Sequence, residues 1–463
     1  MNTTPVIAIF DIGKTNKKVF LFDQQYNILH EKSESFAETT DEDGDPCEDL
    51  QLLTKWIRKS LHEVSLIEEI DLRAVNFSAY GASFVHIDRE GIPIAPLYNY
   101  LKPYPEPLKK QFYEKYGSEI VFSMHTASPV LGNLNSGLQL YRIKNQHPEL
   151  FDKINYSLHL PQYLSFLVTG RRYSDITSIG CHTGMWNFSE SRYHEWLYRE
   201  GIINKLAPIF PSDQSIRTNY EKMPLLCGVG LHDSSAALIP YLSNFTEPFV
   251  LISTGTWCIS LNPFNQSTLT APELQQDCLS YMEYHGKPIK ASRLFAGYDH
   301  EQQVGRLADH FLCSIDAYKK INFDPLIINK PSAVTNSSSM VPDKILLQKS
   351  SFAERNLSSF ETYEEAYHQL MMDIINQQVI STGLVLNNSN VKKIFVDGGF
   401  SHNPIYVNLL AMAFPDKEVY AASVSQASAL GSALAIHHYW NKKPITSDLI
   451  RLKQYSSILQ SHC

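Results

Sequence analysis

Residues 7–23 read IAIFDIGKTNKKVFLFD and place an acid, Asp11, just ahead of Gly13, Lys14, Thr15, Asn16, Lys17 and Lys18. Gly-Lys-Thr closes the phosphate loop of many nucleotide-hydrolysing enzymes. That loop needs another glycine five residues before the Gly-Lys pair and a helix directly after it. Ala8 stands at the first place and the strand-like KKVFLF follows, so the common phosphate loop is excluded. What the spacing predicts instead is a hairpin: apolar, β-rich runs at 6–10 and 19–22 joined by a polar loop that turns at Gly13.

Three further stretches carry residues suited to chemistry. FVLISTGTWCISLNPF, 249–264, has the same layout of apolar run, polar turn at Gly255 and second apolar run, about 240 positions later. VKKIFVDGGFSHNPIYVNLLAMAF, 391–414, reads as a strand, a turn at Gly398-Gly399 and a helix with Asn403 as cap and Pro404 at its first position. Glycines at such a corner let a flat or anionic group approach the backbone, where helix-terminal amides donate hydrogen bonds. LLCGVGLHDSSAALIPYL, 225–242, brings two glycines to His232 and Asp233 at the start of a small-residue helix. An acid there is either a simple N-cap or, beside a phosphate site, a base for an attacking hydroxyl. The residues alone leave both open.

These stretches must be held by a large scaffold. At 463 residues the chain is long for one hydrophobic core, and two large domains or three small ones are expected. Strand and helix patterns alternate, with LRAVNFSA a strand and PEPLKKQFYEKYG and LPQYLSFLVTG helices, which predicts α/β layers. A Ser-x-x-Glu capping box at Ser358 opens a long helix, and ASALGSALAIHHYW reads as a small-residue helix packed on a sheet. The acidic run 39–49 and the polar run Ser332–Asp343 read as surface loops, the former as a solvated turn rather than a cation site. A net charge of -8 gives no footprint for nucleic acid. Seven scattered cysteines without paired Cys-x-x-Cys spacing point to a reduced, cytoplasmic protein without structural zinc. No apolar run approaches the ~18 residues of a membrane span, and no signal core follows the N-terminus.

Taken in order, the acid-Gly-Thr hairpin, the Gly-x-x-His-Asp helix start, the Ser-Thr-Gly-Thr hairpin and the Asp-Gly-Gly-x-x-x-Asn corner resemble the FGGY carbohydrate kinases of the actin-like ATPase superfamily. The likeness runs from Ile7 to about His438 and includes Val168-Thr169-Gly170 and Ser174-Asp175. It implies an α/β fold of two actin-like (ribonuclease-H-like) domains, 1–243 and 244–463, with a nucleotide cleft between them. It implies ATP and Mg²⁺ as cofactors, with Asp11 holding the metal through water. Gly13, Thr15, Asn16 and Lys18 match the first phosphate loop, and Ser253, Thr254, Gly255 and Thr256 the second. Gly398, Gly399 and Asn403 match the adenosine corner, and Asp233 the general base. Lys14 departs from the family's usual Thr or Ser, and its role stays open.

The family's sugar-reading segments are altered, with Ala79-Tyr80-Gly81-Ala82 and Tyr98-Asn99-Tyr100 in their place. Tyr80, Gly81, Asn99, Tyr100, His232 and Asp233 are the expected substrate contacts. The His-Asp-Ser and Thr-Gly-Thr-Trp wording is closest to the kinases of L-rhamnulose and L-fuculose, so a deoxy-ketose is expected. The alternatives are another ketose or polyol such as xylulose, ribulose or glycerol, and a non-catalytic nucleotide-dependent sugar sensor. Expected partners are the sugar and ATP, with neither nucleic acid nor membrane and with a homodimer as one option for assembly.

Overall fold

A computed structural model of the chain describes residues 3–328, 350–424, 426–446 and 448–456. The polar run Ser332–Asp343 lies outside them. The chain divides into two compact units, 1–246 with 280–288 and 425–449, and 247–279 with 289–424 and 450–463. Two stretches of the second half therefore belong to the first unit.

In the first unit the opening run forms the strand Thr4–Ile12, which pairs antiparallel with Lys17–Phe22, and that strand pairs antiparallel with Ile28–Glu34. The other edge of Thr4–Ile12 pairs in parallel with Ile70–Ala79. A parallel neighbour demands a crossover, and the amphipathic helix Leu50–Ser65 lies between the two strands in sequence, begun by Asp49, whose carboxylate accepts from the Leu52 amide. Met223–Gly228 extends the sheet in parallel, and Ser215–Tyr220 closes it antiparallel. Val6 to Phe10 are wholly buried, as a strand covered on both faces should be.

The second unit repeats this plan. Phe249–Thr254 pairs antiparallel with Cys258–Asn262, which pairs antiparallel with the strand ending at Leu294. On its other side Phe249–Thr254 runs parallel to Lys393–Gly398, then come Glu418–Ser423 in parallel and Arg451–Tyr455 antiparallel. The long helix Tyr363–Leu386 precedes the parallel strand. The two hairpins seen in the sequence are thus the same element of two sheets with one strand plan. The order of the last pair differs, since the antiparallel edge strand precedes its neighbour in the first unit and follows it in the second.

The capping box at Ser358 does not open the long helix. The long helix is capped by Thr362, whose hydroxyl accepts from the Glu365 amide, while Ser358 sits in a separate 3₁₀ turn, Leu357–Ser359. The Ser-x-x-Glu spacing fell four residues early on a second, equally good capping pattern. The small-residue helix Ala427–Ala435 packs on the sheet of the first unit, at the strands Thr4–Ile12 and Ile70–Ala79, and also against the helix Asp233–Asn244. Pro240 lacks the N–H that would bond the Ala236 carbonyl, and Gly431 fills that gap: a Cβ there would stand 1.8 Å from the Ala236 oxygen. Among the described residues no helix is long and apolar enough to cross a membrane.

Candidate functional site

The first unit brings the opening hairpin and the Asp233 helix to one end of its sheet. Asp11, next to last in its strand, lies opposite Lys18, and the turn closes through the Gly13 amide, which donates to the Asn16 carbonyl at 2.9 Å. Thr15 and Asn16 are exposed at the tip. Asp11 accepts a hydrogen bond from Ser78 on the parallel strand. Burial pushes its carboxyl up to about 6, Ser78 and Lys18 oppose the shift, and the charge of Asp233 adds to it. A desolvated carboxylate oxygen with so few donors suits a hard cation, so Asp11 fits the Mg²⁺ ligand the sequence suggested.

Asp233 is the first residue of its helix, not the cap. His232 occupies the cap position without a side-chain cap bond, and the Asp233 carboxylate, about a third exposed, accepts from the Ser234 amide at 2.6 Å. Beside it His232 is buried, its Nε2 lying 3.3 Å from both Cys181 Sγ and Asp233 Oδ1, and burial holds its pKa below the ordinary value. His232 Nδ1 is buried without a hydrogen-bond partner. Gly81 comes up against this ring, for a Cβ there would stand 2.9 Å from His232 Cδ2. His182 and Tyr281 complete the surround, with ring centroids 6.4 and 5.7 Å from His232. Tyr281 comes from one of the exchanged stretches, so no local pattern around Tyr80 could have found it.

The other expected substrate contacts divide. Tyr100 lies near enough to Asp233 for that charge to add to the upward push of burial on its phenol. Tyr80 is buried edge-on to Tyr100, centroids 6.1 Å apart, and its hydroxyl points to Glu48 at 3.4 Å. Asn99 accepts from the Leu101 amide at 3.0 Å and helps to line a cavity of about 460 Å³ with Lys14, Thr15, Glu38, Leu101 and Lys102. Lys14, left open by the sequence, pairs with Glu38 at 2.6 Å and lies over the Tyr80 ring.

The acidic run is a largely exposed turn, but three of its acids converge on one cation. Asp41, Asp43 and Asp45 surround the buried Lys102 ammonium at 2.5, 2.8 and 3.2 Å, and Asp41 also accepts from the amides of Asp43 and Asp45. Lys102 is the counter-ion these acids need, supplied from about 60 positions downstream, which is why the run gave no sign of it when read alone.

The second unit carries the other constellation. Ser253, Thr254, Gly255 and Thr256 form the turn of its hairpin, with Gly255 and Thr256 exposed. The buried Thr254 hydroxyl donates to the Asp397 carbonyl at 2.5 Å and accepts from the Phe400 amide at 2.9 Å, which ties this loop to the double-glycine corner. Gly398 has φ +84° and lies so close to the loop that a Cβ would stand 2.0 Å from the Thr254 oxygen. Gly297 packs equally close to the Gly255 oxygen, at 1.8 Å. Asn403 caps the helix Pro404–Ala413 through the amides of Ile405 and Tyr406, and its Nδ2 donates to the Tyr367 hydroxyl.

These residues open on a cavity of about 470 Å³ lined by Thr254, Gly255, Gly297, Gly399, Phe400 and Asn403, together with His300 and Tyr318. His300 and Tyr318 were missed by the sequence reading. His300 is held by the Tyr367 hydroxyl at 2.9 Å, its ring lies edge-on to Tyr318 and Phe400, and burial pushes its pKa down to about 4. A cavity with glycine backbone at one end and aromatic edges along its wall suits a flat heteroaromatic ring joined to an anionic chain.

Residues 6–229 match the N-terminal domain of the FGGY family of carbohydrate kinases, and residues 246–444 match the carbohydrate kinase FGGY C-terminal domain. The chain is 21% identical over 452 residues to a rhamnulokinase of Halalkalibacterium halodurans, covering 92% of this chain and 89% of that one. A rhamnulokinase of Yersinia pestis is 23% identical over 279 residues, 57% of this chain and 54% of the other. Among solved structures, a carbohydrate kinase from Novosphingobium aromaticivorans is similar with a TM-score of 0.75 at 20% identity, covering 98% of this chain and 95% of that one. A ligand-bound xylulose kinase from Lactobacillus acidophilus gives a TM-score of 0.78 at 15% identity, covering 97% and 93%.

Proposed function

Because this chain belongs to the FGGY family of carbohydrate kinases, ATP-dependent enzymes with two actin-like α/β domains, we propose that it phosphorylates a deoxy-ketose related to L-rhamnulose, with Asp233 as the general base. The observation that carries the assignment of the base is the place of Asp233: first in its helix, partly exposed, free of the capping role, and near both Asp11 and Tyr100. A carboxylate so placed takes the proton of the attacking hydroxyl as the hydroxyl oxygen bonds to the γ-phosphorus and the bond to the β-phosphate oxygen breaks, leaving ADP.

The cavity of the second unit takes adenosine, with His300, Tyr318 and Phe400 against the base and the Gly398-Gly399 backbone beside the ribose and phosphates. Ser253 to Thr256 and the tip Gly13 to Asn16, with Lys18, supply donors to the phosphate chain. Thr254 and Asn403 serve this site by bracing it, since their polar atoms are already engaged within the second unit. Asp11 would hold Mg²⁺, which when bound would offset the charge of the phosphates. His232 Nδ1, the one unpartnered polar atom of its ring, donates to or accepts from a sugar hydroxyl. The aromatic faces of Tyr100 and Tyr281 cover the methyl group that distinguishes a deoxy-sugar.

The rhamnulokinase relatives support the substrate class, and the altered Tyr80-Gly81 and Asn99-Tyr100 segments separate this chain from the usual sugar-reading pattern. A coupled ADP-release assay over L-rhamnulose, L-fuculose, D-xylulose, gluconate and glycerol tests it. The expected kcat/KM for the deoxy-ketoses is at least about 10-fold above the others, the value of one methyl in a fitted pocket. Equal or better use of xylulose, gluconate or glycerol overturns the substrate and leaves the kinase.

A further inference from the structure

Inside the first unit a lysine and a glutamate are paired almost out of reach of water. Lys17 and Glu48 side chains are 1% and 4% exposed, with the ammonium 2.8 Å from one carboxylate oxygen and 3.0 Å from the other. The remaining direction of the ammonium is filled by the Lys14 carbonyl at 3.0 Å, in the turn that Gly13 and Asn16 close. The Glu48 oxygen 3.0 Å from the ammonium also accepts from the Tyr80 hydroxyl at 3.4 Å, and the Tyr80 ring meets both Tyr100 and the Lys14 ammonium. Burying two charges costs several kcal/mol per ion before their attraction returns it, so such a pair is a poor way to gain stability and a good way to fix one arrangement.

We propose that the Lys17–Glu48 pair is a positioning device that sets the backbone of the turn 13–16 for phosphate binding and locks it to the Tyr80–Tyr100 wall. Neither residue touches substrate. Lys17 pulls the Lys14 carbonyl inward, so that this oxygen is turned away from the exposed tip, where it would repel a phosphate. Glu48 holds the ammonium in place and anchors the tyrosine through the oxygen that the two share. The inference rests on residues 13–16 being a phosphate loop, as proposed above.

Calorimetric titration of the full chain with Mg²⁺·AMP-PNP and with adenosine tests it, because only the first ligand carries phosphates to the turn. Three proteins are compared: wild type, Glu48→Gln, and the double variant Lys17→Met/Glu48→Leu, which removes both charges and leaves none buried unpaired. The single variant should lose thermal stability and the double variant should regain it. Both should bind AMP-PNP about 10-fold or more weakly, the effect of losing hydrogen bonds to a charged group, with adenosine affinity unchanged. A double variant that melts like wild type and binds AMP-PNP as tightly overturns the proposal and leaves the pair a structural feature. So does a parallel loss for both ligands. Wild-type protein that binds neither ligand overturns the nucleotide reading itself, and the positioning role with it.

Discussion

The two glycine hairpins share a strand plan and differ in what holds them. In the first, Lys14 pairs with Glu38, Lys17 with Glu48 and Lys18 with Glu31, and the turn glycine has 3.1 Å between its missing Cβ and the nearest atom. In the second, no charged residue stands between Phe249 and Phe264, and the loop is held by backbone brought close to backbone at Gly297 and Gly398. One loop is fixed by charge and the other by the absence of side chains. A single fold element can be locked by either means, and the means decides which substitutions it tolerates.

The largest effect expected from this contrast is at Gly398. Gly398→Ala meets the Thr254 carbonyl at 2.0 Å from a left-handed backbone, so adenosine binding should fall by well over about 10-fold and the melting temperature should drop. Gly13→Ala meets only the Asn16 carbonyl at 3.1 Å with no left-handed strain, and a loss of no more than a few fold in AMP-PNP affinity, on the order of 1 kcal/mol, is expected. Equal losses at the two glycines, measured by calorimetry and thermal melts together, would erase the distinction. Gly255→Val is the next probe. The nearest atom to a Cβ there is 3.9 Å away, so the fold should persist while the new side chain occupies phosphate space and weakens AMP-PNP binding by about 10-fold. Unchanged affinity would remove the second hairpin from the site.

Lys14→Ala should do least among the substitutions. Its partner Glu38 is 43% exposed on the side chain, and partly exposed pairs contribute about 0–1 kcal/mol, so thermal stability should barely move. An adenosine titration between pH 5.5 and 8 tests the charge of His300, made on His402→Gln because His402 lines the same cavity. With its folded pKa down near 4, His300 stays uncharged throughout that range, and affinity should be flat. A step near pH 6.5 would mean that the ring charges in the cavity.

The local structure of much of the candidate site was legible because each part is written in neighbouring residues. A strand, a polar turn and a strand are written in consecutive residues, as are Gly398-Gly399 with the Asn403 cap and His232-Asp233 with its helix. What escaped was non-local. The acids 41, 43 and 45 gave no sign of a shared partner because Lys102 is distant in sequence, and Tyr281 reaches His232 from beyond the second hairpin. His300 and Tyr318 lie on segments whose sequence shows ordinary helical and turn residues, and only the fold lines them up beside Gly399. The capping box at Ser358 failed for the opposite reason, since the same local signal occurs twice and the helix starts at the second.

The proposed phosphoryl transfer depends most on Asp233 as the base. The direct test is kcat of Asp233→Asn in the ADP-release assay on the best ketose of the screen, with Mg²⁺·AMP-PNP affinity and melting temperature measured on the same protein. A loss of roughly 10²–10⁴ in kcat is predicted, the usual worth of a general base, with nucleotide affinity and fold retained. Turnover within a few fold of wild type in a folded, nucleotide-binding Asp233→Asn protein would contradict it.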